Sequence, residues 1–157
     1  AQGYGVSVFE PSWDQGDTAP VRVNAGPGSG MDDPRSIIID DAGYMYVANM
    51  LDKSVTVYAP DWAAGNTAPV KTLKGPSTLL IMPVAIAFDD EQRMYVLNSD
   101  SVTVYAADWK DGDNTPLASN ALEVYVHRLR RKLGDAPLNI RNVRGLGYLL
   151  ETLPPHG

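Results

Sequence analysis

The feature that most constrains this chain is an internal repeat. Gly5-Val6-Ser7-Val8-Phe9 returns as Ser54-Val55-Thr56-Val57-Tyr58 and again as Ser101-Val102-Thr103-Val104-Tyr105. The offsets are 49 and then 47 residues. Trp13 returns as Trp62 and Trp109, and Thr18-Ala19-Pro20 as Thr67-Ala68-Pro69, with Thr115-Pro116 as a partial third copy. Pro34, Asp40-Asp41, Tyr44-Met45-Tyr46-Val47 and Asn49 match Pro83, Asp89-Asp90, Arg93-Met94-Tyr95-Val96 and Asn98. A chain that repeats at this period is expected to stack equivalent units, each covering the apolar face of its neighbour.

Inside each unit the pattern is that of strands. Val55-Thr56-Val57-Tyr58 is rich in β-branched and aromatic residues. Ile37-Ile38-Ile39 and Ala85-Ile86-Ala87-Phe88 are short apolar runs, each ended by an Asp pair, and are expected as strands buried on both faces. Asp41-Ala42-Gly43 is a turn, and Gly-rich stretches at Gly16-Asp17 and Gly65-Asn66 punctuate the units. About four short strands per unit make a unit the size of a propeller blade.

These residues carry a resemblance. Ser54-Val55-Thr56-Val57-Tyr58-Ala59, Gly65-Asn66-Thr67-Ala68-Pro69-Val70, Pro83-Val84-Ala85-Ile86-Ala87 and Met94-Tyr95-Val96-Leu97-Asn98 together resemble the NHL-type β-propeller repeat of bacterial proteins, many of them exported. The resemblance covers about residues 3–117. It implies antiparallel four-stranded blades at about 5–53 and 54–100, with a partial one at 101–117, in a segment 1–117. Closed propellers need about 4–8 blades, so two-plus blades leave open edges. Self-association through those edges is one expected outcome, with three chains making about six blades. The other is that the C-terminal segment covers the edge.

The C-terminal segment differs in charge and period. Residues 1–117 hold 7 Lys/Arg against 16 Asp/Glu, net -9, whereas 118–157 hold 6 against 3, net +3, giving -6 for all 157 residues. From Asn120 the period becomes helical, with a helix expected over 120–133 that Asn120 caps with Glu123 as a capping-box variant. Leu122, Val126, Leu129 and Leu133 form its apolar stripe, Tyr125 lies beside it, and Arg130 and Lys132 flank it. His127, Arg128 and Arg131 fall on the other side. Gly134 stops the helix, and a hairpin over 138–152 turns at Arg144-Gly145-Leu146-Gly147. A basic helix followed by an Arg-tipped hairpin fits nucleic acid, the helix in the major groove and the arginine in the minor groove. The same residues also fit an ordinary helix with a solvated basic face, which physical chemistry alone favours.

Asn120-Ala121-Leu122-Glu123-Val124-Tyr125-Val126-His127-Arg128-Leu129-Arg130-Arg131-Lys132-Leu133-Gly134, followed by Ile140-Arg141-Asn142-Val143-Arg144-Gly145-Leu146-Gly147-Tyr148, closely resembles the end of the winged-helix domain of OmpR-type response regulators. The resemblance implies a recognition helix and a wing. It puts Arg128 and Arg130 on bases or phosphates, Arg144 at the wing, and His127 and Arg131 on supporting phosphates. The small sheet and two further helices that begin such domains, and the receiver's aspartate pocket, have no counterpart here. The helix stripe therefore needs other partners, and the acidic 1–117 repels phosphate, so weak DNA binding or none is expected.

The two resemblances meet near Leu117-Ala118-Ser119, in mid-blade, whereas natural fusions join at linkers between whole units. The chain is accordingly expected to be a chimera of incomplete pieces. The propeller half suggests export and the winged-helix half the cytoplasm. Ala1 without a preceding methionine fits a processed export product or a trimmed chain.

Enzyme chemistry is not expected. Without cysteine there is no disulfide, thiolate zinc site or cysteine nucleophile. Asp40-Asp41 and Asp89-Asp90 recur with the unit and so suit turns better than a catalytic carboxylate pair. Trp13, Trp62 and Trp109 recur likewise and suit packing better than a sugar site. His127 and His156 lack partners at ligand spacing, so no metal is expected. Gly26-Pro27-Gly28-Ser29-Gly30 lacks the lysine and helix of a phosphate loop, and no Gly-x-Ser-x-Gly elbow occurs. No cofactor is implied, and no apolar run approaches the ~20 residues of a membrane helix. The readings are a non-enzymatic chimera with a partial DNA-recognition element, an oligomerising repeat scaffold without DNA binding, and, least favoured, a lactonase-like propeller enzyme.

Overall fold

The computed structural model describes residues 4–12, 16–134, 136–144 and 147–152. Trp13, the Gly145-Leu146 part of the hairpin tip and His156 lie outside the described residues. The chain divides into two compact units, 1–119 and 120–157. The described residues are mainly β, in several sheets, with one α-helix.

The first unit is a succession of small sheets. β1 (Gly5–Val8) pairs antiparallel with β2 (Arg22–Ala25) alone. β3 (Pro34–Ile39), β4 (Met45–Asn49), β5 (Ser54–Tyr58) and β6 (Lys71–Leu73) form an antiparallel sheet in chain order. β7 (Ala85–Phe88), β8 (Met94–Leu97), β9 (Ser101–Tyr105) and β10 (Ala118–Ala121) form another. The sheets run out of phase with units starting at 5, 54 and 101: the Ser-Val-Thr-Val-Tyr strand is third in its sheet. A sequence period has no intrinsic start, and tight turns decide where each sheet begins. Asp40 makes one such turn, its Oδ1 accepting from the backbone N–H of Ala42 at 3.0 Å and Tyr44 at 2.8 Å. Asp89 makes the other, accepting from the Arg93 N–H at 2.8 Å while Arg93 Nε donates to its Oδ2 at 2.6 Å. Each folds the strand before it onto the strand after.

The repeat in sequence is also a repeat of contacts. Buried Tyr58 donates its hydroxyl to the Ser29 carbonyl, and buried Tyr105 donates to the Thr78 carbonyl at 2.5 Å. Asn66 Oδ1 accepts from the Gly28 N–H at 2.7 Å, and Asp113 Oδ1 from the Ser77 N–H at 2.9 Å. Parallel bridges join Asn24 to Gly65 and Leu73 to Gly112. Trp62 and Trp109 are buried, with Arg22 and Lys71 over their rings at 4.0 and 3.5 Å. The core sits between sheets. Met31, Met45, Val47, Tyr58 and Trp62 form one cluster; Val55, Leu73, Ile86, Met94, Val96 and Trp109 belong to the next.

Neither apolar run is buried on both faces. In Ile37-Ile38-Ile39, Ile38 is half-buried and packs on the core, but Ile37 and Ile39 are exposed; in Ala85-Ile86-Ala87-Phe88, Ile86 is buried but Ala87 is exposed. β3 is an edge strand, and among the described residues no four-stranded sheet precedes it.

Burial pushes the Tyr105 hydroxyl up to about 12, and burial together with the Asp40 carboxylate pushes Tyr46 to about 12. Both lie above the ordinary tyrosine value of about 10, so their contribution to stability is whole below about pH 10 and is lost as the pH rises through about 12. In an alkaline titration followed by tyrosinate absorbance and circular dichroism, a late tyrosine step should coincide with loss of sheet signal. A single step near the ordinary value with the sheets intact would contradict this. Tyr105→Phe leaves the Thr78 carbonyl without its donor and should cost about 1–3 kcal/mol in a denaturant melt.

Candidate nucleic-acid interface

The second unit is built from α1 (Leu122–Leu133), β11 (Leu138–Val143) and β12 (Gly147–Thr152). The helix sequence is mostly good helix formers, with Glu123 in its first turn and Arg130, Arg131 and Lys132 in its last, each sign at the helix end that favours it. The expected Asn120 cap does not form. Asn120 lies in the extended β10, the N-cap position is Ala121 with no side-chain hydrogen bond, and the Asn120 amide donates to the Tyr125 hydroxyl at 3.4 Å. The helix therefore starts two residues later than 120. Gly134, at φ 47°, ends it and donates its N–H to the Arg130 carbonyl at 3.3 Å.

The expected stripe is only partly buried. Val126 is buried, Leu122 and Leu133 are half-buried, and Leu129 is exposed. The helix packs against β11, where Ile140 is buried. β11 and β12 pair antiparallel from Leu138↔Thr152 to Val143↔Gly147, with Asn139 donating to Glu151 Oε1 at 3.0 Å and Arg141 3.4 Å from the same carboxylate.

The predicted site residues separate into three places. Arg128 and Arg131 are exposed and, with Lys132, line a shallow depression of about 330 Å³. The Arg128 guanidinium lies 5.9 Å from the centre of the Tyr125 ring. His127 is exposed one position before this group. Arg144 is exposed at the hairpin turn. Arg130 is placed differently from what the resemblance implies: its Nε and Nη2 both donate to the Ile140 carbonyl, at 3.0 and 2.8 Å, and its guanidinium lies 6.0 Å from the Tyr148 ring centre. Arg130 is two residues, about 200°, round the helix from Arg128, so one points to the hairpin when the other points away. Lys132, read from the sequence only as flanking the stripe, belongs with the cations; its spacing of four from Arg128 is the signal that could have found it.

Three cations on one exposed helix face form a surface suited to phosphate oxygens rather than to bond-breaking chemistry. Among the described residues no three His, Asp or Glu side chains gather as a metal-holding group, and no described helix is long and apolar enough to cross a membrane.

Residues 105–150 match the family model described as "Transcriptional regulatory protein, C terminal". The match spans under a third of the chain and suggests a response-regulator-type DNA-binding element. It begins inside the repeat, at the buried Tyr105 of β9. No curated protein matches the chain.

Arg130→Met removes two charge-assisted hydrogen bonds to a partly buried carbonyl while preserving helix propensity. The expected cost is about 1–2 kcal/mol. Hydrogen exchange should show it as faster exchange of the β11 and β12 amides, with the first unit unchanged.

Proposed function

We propose that residues 120–152 act as a weak, non-enzymatic DNA-binding element of the response-regulator type. The observation that carries this reading is the exposed Arg128–Arg131–Lys132 face on α1; the family match at 105–150 supports it. In this reading Arg128 and Arg131 contact phosphates or base edges, with His127 beside them, and Arg144 reaches the minor groove from the hairpin turn. Arg130 acts by holding the hairpin to the helix. Affinity is low because few cations face the phosphates and the net charge of -9 over 1–117 opposes approach. The same reading takes the first unit as incomplete propeller-like blades and the chain as a chimera. Its support is the repeat, which breaks off after Thr115-Pro116, just before the helical segment begins.

Titration of labelled duplex DNA at two salt concentrations tests the DNA reading. Affinity should fall with salt, and Arg128→Ala with Arg131→Ala should lower the log–log slope by about 1.8. Absence of salt-dependent binding, or a double variant indistinguishable from the parent, would overturn it.

A second reading is an oligomerising repeat scaffold without DNA binding. Val21, Val70 and Leu117 stand at one repeat position, all exposed, each just before an edge strand: β2, β6 and β10. Exposed apolar side chains recurring at one repeat position favour association of copies. Light scattering should then give a mass above that of one chain that Val70→Asp reduces; a monomer at micromolar concentration would remove this reading.

A further inference from the structure

Sheets built from one repeat should bury equivalent positions equally, and three positions break the rule. Ile86 in β7 is 8% exposed, but its equivalent Ile37 in β3 is 49% exposed. Phe88 is half-buried, edge-on to Tyr46 with ring centres 4.9 Å apart, while its equivalent Ile39 is exposed. Tyr58 and Tyr105 are buried, and their equivalent Phe9 is exposed. All three departures have one origin. β7 lies against β3 and β4 of the sheet before it. The sheet before β3 has only β1 and β2, the equivalents of β5 and β6. Among the described residues nothing stands where a β3–β4 hairpin would stand, and a groove of about 220 Å³ opens there, lined in part by Val6, Pro34, Ile37 and Val47.

The edge of β1 is ready for pairing. Val21 donates to the Val8 carbonyl, so Val8 faces β2, and alternation turns the N–H and C=O of Ser7 to the open side. Ser7 also retains a hydroxyl at the position of Thr56 and Thr103. Those hydroxyls accept from the side-chain amides of Asn49 and Asn98, at 3.0 and 3.2 Å, on the strand next door.

We infer that this slot accepts a β-hairpin of the repeat's own kind, its second strand pairing antiparallel with β1 as β4 pairs with β5 and β8 with β9. The occupant is a segment with an apolar first strand, an Asp-led turn and a Met-Tyr-Val-x-Asn second strand. Its Met packs on Phe9, its aromatic and apolar side chains cover Ile37 and Ile39, and its Asn donates to Ser7. The interface it makes continues the one already formed between the two four-stranded sheets. A folded second copy cannot supply it, because its two described hairpins of this kind, β3–β4 and β7–β8, already pair with β5 and β9.

The test adds a labelled synthetic peptide of residues 83–98 to the full chain and follows anisotropy, with hydrogen exchange at the Ser7 amide. Saturable one-to-one binding is expected, with slowed exchange at Ser7. Ile37→Glu in the protein and Asn98→Ala in the peptide should each weaken binding about tenfold or more, and a scrambled peptide should not bind. Ile37 is exposed, so the variant keeps its fold, checked by circular dichroism; Ser7→Pro, which removes the edge donor, gives an independent second variant. No saturable binding would overturn the inference. So would binding that neither protein variant weakens, or a stable homodimer in which Ser7 is already protected without peptide.

Discussion

A buried tyrosine hydroxyl needs an acceptor, and most of the first unit's organisation follows from where two of them find it. Tyr58 and Tyr105 sit in the third strands of their sheets and reach back to the Ser29 and Thr78 carbonyls, in the loops that precede those same sheets. The loops are held from the other side by Asn66 and Asp113. Each loop is thus gripped from two directions, and the parallel bridges Asn24–Gly65 and Leu73–Gly112 fix the strand beside it. Leaving such a hydroxyl or carbonyl unpaired in the core costs on the order of 1–3 kcal/mol, so the clamp selects one stacking of sheets over its alternatives.

The second unit is held by a different device. Among its described residues Val126 and Ile140 are the buried apolar side chains, and a two-stranded hairpin is marginal by itself. The two hydrogen bonds from Arg130 to the Ile140 carbonyl join helix to hairpin through a charged donor. That holds the helix against the hairpin while leaving Arg128, Arg131 and Lys132 free to face outward.

Much of this was legible in the sequence because it repeats. The match of Ser54-Val55-Thr56-Val57-Tyr58 with 101–105 marks strands, and the recurring Asp40 and Asp89 mark turns that the structure builds from their carboxylates. The phase of the sheets was not legible, because pairing is decided by which turn closes rather than by where the period is counted from. The exposure of Ile37 and Ile39 could not be read either: a strand's apolar run is the same whether or not its neighbour exists. In the helix, the basic residues were visible but not their division of labour. Arg130 and Arg128 are chemically alike, and only the position of the Ile140 carbonyl separates the one that holds from the one that faces solvent.

The family match starts at Tyr105, whereas the second compact unit starts at Asn120. Between them lie Trp109, Gly112, Asp113 and Leu117, which serve the sheets: Trp109 lies under Lys71, Gly112 bridges Leu73, Asp113 holds the loop at Ser77, and Leu117, just before β10, donates its N–H to the Val104 carbonyl. The stretch matched by the family model is therefore shared between the two compact units. A fragment excised at 105 would carry off a strand and a clamp that the first unit needs, and would gain for itself a leader with nothing to fold against. The start of the family match and the boundary between the compact units are about fifteen residues apart, so a segment cut at the first would not coincide with the second.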